Sequence, residues 1–201
     1  MSAPLPASVQ GDLLRELSRD YPSLTQIPNG VLFADATKGR ALIIDQTRIE
    51  VSENGAHVST NALEQMQADL HKTVPLIDIA PPYRVRIEGT GTIQALEGLD
   101  PAAVLRNYAP PNPAWDIVGG HCTHSCVRFL FTGDDGTQRD VHVEPLFAQP
   151  DKFYVMAVSM NAPTGVPSLD RAMRVAHDEV GLIERLSDRI VSDIAEPTRT
   201  T

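Results

Sequence analysis

Cysteine, long apolar runs and basic charge are all scarce in this chain, and each shortage removes a class of protein. Only two cysteines occur in 201 residues, Cys122 and Cys126. Small secreted domains held together by disulfides carry many more, so reduced thiols and a cytoplasmic location are expected. A chain of this length buries roughly 70% of its unfolded surface, enough to fold without cross-links or a structural metal. The longest apolar runs, such as "ALII" and "RFLF", fall far below the roughly 20 residues of a membrane helix. The start, "MSAPLPASVQGDLLREL", has neither the basic n-region nor the apolar h-region of a secretory signal. Lysine and arginine total 17 against 26 acidic residues, a formal charge of −9 spread along the chain. No basic stripe is there to meet phosphates, so neither nucleic acid nor membrane is an expected partner. Catalytic signatures are missing too: there is no G-x-S-x-G elbow, Walker loop, H-E-x-x-H helix or kinase set.

What is present is a regular alternation of helix and strand patterns. Val9, Leu13, Leu14 and Leu17 lie at helical spacing between Ser8 and Asp20, before Pro22. Gly30 to Gly55 reads as two or three short strands, with "ATKG" as a tight turn. Asn61 and Glu64 form a capping box for a second helix, with Leu63, Met66, Leu70 and Val74 as its apolar stripe and Pro75 as its stop. The stretch from Tyr83 alternates as a strand. Its Gly89 and Gly91 lack the third glycine and the following helix of a dinucleotide loop, which leaves a bulge or bend. Asp100-Pro101 opens a short helix to about Tyr108. A proline-rich connection with Trp115 as packing anchor follows, then strands at about 122–132, 138–147 and 153–161.

Ser168 caps a long final helix with Leu169, Met173, Ala176, Val180, Ile183, Ser187, Ile190 and Ile194 at steps of four and three. That spacing suits a coiled-coil seam, while Leu182, Leu186 and Val191 widen the stripe toward sheet packing. The order of elements predicts an α+β fold: an antiparallel β-sheet with helices mainly on one face and a long C-terminal helix. A single domain over 1–201 is expected, with flexible ends at about 1–7 and 196–201.

Both cysteines and three of the six histidines fall between His121 and Phe147. "TGDDGT" reads as a three-residue hairpin loop with Gly136 in the left-handed position. Pairing Gly133 with Thr137 sets Arg128 opposite His142 and Cys126 opposite Glu144. Val127, Phe129, Phe131, Val141, Val143 and Phe147 then share one face. Cys122, His124, Cys126, Arg128, Asp140, His142 and Glu144 share the other. Cys122 and Cys126 would lie about 13 Å apart, too far for a disulfide or a shared zinc. The face is read as polar, with Arg128 paired to Glu144 or Asp140. His124, Cys126, His142 and Glu144 are the minority candidates for a metal. Ser125 points away from His124, and His177 beside Asp178 and Glu179 reads as a solvated helix face.

Tyr21-Pro22, "YRVRIEGTGTI" with "LDPAAVL", and "LDRAMRVAHDEV" together resemble a sporadically distributed prokaryotic family of uncharacterised proteins, over about residues 12–195. The resemblance implies a layout of strands ending in a long helix and a prokaryotic cytosolic setting, and no activity. The residues themselves favour a non-enzymatic interaction protein that binds a protein partner, or itself as a homodimer. The C-terminal helix (Val180, Ile183, Ile190, Ile194) or the sheet face would be the surface. No catalytic residue or cofactor is expected. The first alternative is a small apolar ligand held between curved sheet and long helix, lined by Phe129, Phe131, Val143 and Met156. The second is a metal-dependent enzyme at the Cys/His hairpin.

Overall fold

The computed structural model describes residues 5–54, 60–77, 79–108, 110 and 124–195. The Asn61 side chain that would form the cap, Trp115 and its connection, His121, Cys122 and the 196–201 end lie outside what is described. The fold is α+β, with two antiparallel four-stranded sheets where one was expected. The chain divides into two compact units, Met1–Pro81 and Pro82–Thr201.

In the first unit, α1 (Ala7–Leu17) precedes β1 (Ser23–Ile27), β2 (Gly30–Asp35), β3 (Arg40–Asp45) and β4 (Ile49–Glu53), and α2 (Thr60–Ile77) follows. The strands pair in chain order as a meander. Strand parity drives Val31 and Phe33 of β2 and Leu42 and Ile44 of β3 to one face. There they form a core with Leu13 and Leu17 of α1, Tyr21, and Ile77 of α2. Leu14 points out of this core and is largely exposed. Leu5, inside the stretch read as a loose end, is 4% exposed and packs in the same core. The "ATKG" turn is real: the Asp35 carboxylate accepts from the Thr37 N–H at 3.0 Å, and Gly39 adopts φ 64°. Pro75 does not stop α2, which runs two residues further. A proline in the last turn forfeits one backbone bond there and leaves the body of the helix intact.

In the second unit, β5 (Arg86–Gln94), α3 (Pro101–Tyr108), β6 (Val127–Thr132), β7 (Gln138–Pro145), β8 (Lys152–Met160) and α4 (Leu169–Ala195) build a sheet ordered β5-β8-β7-β6. The helix caps follow the sequence, with Asp100 accepting from the Ala102 N–H at 3.0 Å and Ser168 from the Arg171 N–H at 3.3 Å. Alternate residues of β7 and β8, Val141, Val143, Phe153, Val155 and Ala157, form a core with Leu105 of α3 and Ile183, Ile190, Val191 and Ile194 of α4. The α4 stripe is thus packed on its own sheet. Gly89 and Gly91 do not form the expected bulge; both sit in an unbroken ladder opposite Ala157 and Val155. An added side chain at Gly89 would meet the Ile183 Cδ1 at 3.9 Å, so the missing side chain marks where α4 comes close to β5.

Candidate functional site

The hairpin of β6 and β7 has the register that its loop chemistry dictates. Gly133 and Thr137 are joined by an N–H to carbonyl bond of 2.8 Å, Gly136 takes φ 80°, and Arg128 pairs with His142. Val127 and Phe129 lie against the core beside Val143 and Val141. Phe147 departs from the expected face: β7 ends at Pro145, and Phe147 is 71% exposed with its ring edge-to-face on His124 at 4.6 Å.

On the opposite face the side chains pair by charge. The Arg128 guanidinium donates to both Asp140 oxygens, at 2.9 and 3.1 Å from Nε. Each holds the other ionised: the bond to Arg128 keeps the Asp140 carboxyl below the usual aspartate range, and Asp140 raises the arginine. His142 Nε2 lies 3.9 Å from Glu144 Oε2, and Cys126 is exposed with its thiol free. Among the described residues no three His, Cys, Asp or Glu side chains gather closely enough for a metal. His177 and Asp178 are exposed on α4.

The same face runs on across β8 and β5. Because Phe153, Val155, Ala157 and Ser159 turn into the core, Lys152, Tyr154, Met156, Val158 and Met160 turn away from it. This puts Met156 on the face opposite Val143 and Phe129, so the four residues read as a cavity lining do not share a wall. The register lays out rows: Thr90, Met156, His142 and Arg128, then Glu88, Val158, Asp140 and Leu130. Leu130 is 72% exposed at the end of its row. An apolar column on the central strand is therefore flanked by charged and polar side chains on its neighbours.

Of the residues read as an interaction stripe on α4, Ile183, Ile190 and Ile194 are only 4%, 8% and 2% exposed. Their apolar surface is taken up inside the unit, and Val180 is half-buried beside them. Polar anchors fix the helix as well. Arg139 of β7 donates to Glu179 through Nε at 2.8 Å and Nη2 at 2.6 Å, and the buried Ser159 hydroxyl donates to Glu179 at 2.7 Å. Burial alone would raise the Glu179 carboxyl; these bonds outweigh it and hold it below the ordinary glutamate range.

A second polar cluster lies in the first unit, and sequence reasoning missed it. Asp69 on α2 is 0% exposed; the Tyr21 hydroxyl donates to its Oδ2 at 2.6 Å, Gln65 to its Oδ1 at 3.1 Å, and Arg40 Nη2 lies 3.4 Å away. Arg40 Nε is buried without a hydrogen bond, although Glu53 Oε2 sits 3.3 Å off its line. Burial first and the bond to Asp69 second raise the Tyr21 phenol far above its usual range. Elsewhere in the same unit, an open cleft of about 300 Å³ is lined by Leu5, Pro6, Val9, Gln46, Leu76 and Ile77. That volume is at the lower limit for small-molecule pockets. Among the described residues no helix is long and apolar enough to cross a membrane. No protein-family model, curated protein or solved structure matches this chain.

Proposed function

We propose that this chain is a non-enzymatic interaction protein that binds a protein partner or a second copy of itself through the face of its second sheet opposite α3 and α4. The observation that carries this reading is the row of Leu130 and Val158 within a face that also presents Tyr154, Met156 and Met160. Leu130 is 72% exposed and Met160 is exposed too. Covering a fully exposed apolar side chain is worth about 1.5–3 kcal/mol and a part-buried one such as Val158 less, so Leu130 and Met160 would supply most of the gain. The α4 stripe, the other surface the sequence suggested, is spent on the core.

The test is a double substitution, Leu130→Lys with Val158→Lys. Its thermal melt should stay close to that of the parent, because neither side chain belongs to the core. Capture of protein from a cell extract and self-association should both fall. Unchanged capture and unchanged self-association would refute the reading.

A further inference from the structure

We propose that β6 pairs with β6 of a second copy, edge to edge and antiparallel about Leu130, so that two four-stranded sheets run on as one. This goes beyond the reading above, since it uses the rim of the sheet and not its face. β6 ends the order β5-β8-β7-β6, and on its outer side no strand lies among the described residues. Exposure shows that side to be open along the second half of the strand. Val158, which shares a row with Leu130 but has a strand on each side, is half-buried. Leu130 is 72% exposed, Phe131 on the opposite face 38%, and Thr132 is exposed as well. The other edges are blunted: β4 carries Glu50 and Glu53, β5 contains Gly89 and Gly91, and β1 presents Ser23, Thr25 and Gln26. β6, "VRFLFT", has no proline or glycine, and its one charge, Arg128, is held by Asp140. An open edge of that composition is a template for another strand.

What selects a second copy is that β6 complements itself in one register. Gly133 donates to Thr137, so by alternation Val127, Phe129 and Phe131 bond to β7, and the N–H and C=O groups of Arg128, Leu130 and Thr132 turn outward. An antiparallel partner must set outward residues against outward residues. Centred on Leu130, the pair does so: Leu130 meets its own image, Phe129 meets Phe131 twice over, and Arg128 meets Thr132 with no like charges opposed. About six backbone hydrogen bonds form. Centred on Arg128, the two guanidinium groups face each other; centred on Phe129, Arg128 lies against Leu130; centred nearer the turn, half the strand or more is left unpaired. One strand pair is a small contact, so the dimer is reversible and depends on concentration.

The experiment is sedimentation velocity on the full chain from low to high micromolar concentration, for the parent, Thr132→Pro and Val158→Lys, with circular dichroism as the folding check. Proline is tolerated on an edge strand where its nitrogen faces outward, so Thr132→Pro should keep the fold and lose the pairing. The expected result is a concentration-dependent dimer in the parent, weakened by about tenfold or more in Thr132→Pro and unchanged in Val158→Lys. Should Thr132→Pro lose its fold, Leu130→Lys replaces it and sets two like charges against each other on the axis. The register is read by cross-linking in a chain that also carries Cys122→Ser and Cys126→Ser. Leu130→Cys should join two copies under mild oxidation, its Cα atoms lying about 5.5 Å apart, and Thr132→Cys, about 13 Å from its image, should not. A parent that stays monomeric throughout overturns the proposal, whether the edge is then covered by another part of the chain or kept for a different protein. A dimer that Val158→Lys weakens and Thr132→Pro does not belongs to the sheet face; it overturns the edge and leaves the wider reading standing.

Discussion

Asp69 is accommodated at 0% exposure because three other side chains are brought to it: the Tyr21 hydroxyl, the Gln65 amide and the Arg40 guanidinium. Removing one member of such a group leaves the others buried without compensation. Asp69→Ala should therefore cost about 3–5 kcal/mol, read as a lower urea midpoint at an unchanged slope. A loss under about 1 kcal/mol would mean that Arg40 swings out to water. The cluster was not legible on α2, where Leu63, Met66, Leu70 and Val74 mark an apolar stripe and nothing in the spacing singles out Asp69 or Thr73. Both are fully buried instead. A signal existed on β3, since Arg40 shares parity with Leu42 and Ile44 and so had to face inward and find an anion. Which anion was a question of tertiary contact, and no local spacing answers it.

The elements were legible in proportion to how far local chemistry specifies them. Loop type and parity together fixed the register of the β6–β7 hairpin, and of the two partners open to Arg128, Glu144 and Asp140, the structure takes Asp140. The cap residues placed α3 and α4. β1 escaped notice because four of its five residues are exposed on an edge strand, and "SLTQI" shows no apolar alternation. The division into two sheets was also hidden, because hairpins reveal which neighbours pair and not where one sheet ends. At this scale Glu179 is the pin that fastens α4 to β7 and β8. Its carboxyl is held below the unfolded glutamate value, so its contribution is complete at neutral pH. It is lost as pH falls through the lowered folded value, when the proton taken up breaks the bonds to Arg139. Glu179→Gln should lower stability at neutral pH by roughly 1–3 kcal/mol. It should also flatten the loss of stability below the ordinary glutamate range, as seen in thermal melts across an acid series. Parallel acid profiles for parent and variant would contradict this.

Over the whole molecule, the two cores have no residue in common, one drawing on Phe33 and Leu42 and the other on Val141 and Phe153. Phe33→Ala should remove about 3–5 kcal/mol from the first core alone. Differential scanning calorimetry should then show one transition moved down and a second left in place; a single transition that shifts as a whole would show that the units melt together. The arrangement of α4 has a further bearing on how the protein is made. The first unit's core is closed by Ile77, so everything it needs has been synthesised well before the middle of the chain. The second opens with Ile87 and Ile93 on β5, yet waits for Ile190 and Ile194 at the far end of α4. On the ribosome the first unit can settle early, while β5 of the second waits about sixty residues for its partner β8, and the completed sheet about thirty more for Ile190 and Ile194, several seconds in all at ordinary elongation rates. During that interval the nascent chain is most exposed to aggregation and most in need of a chaperone.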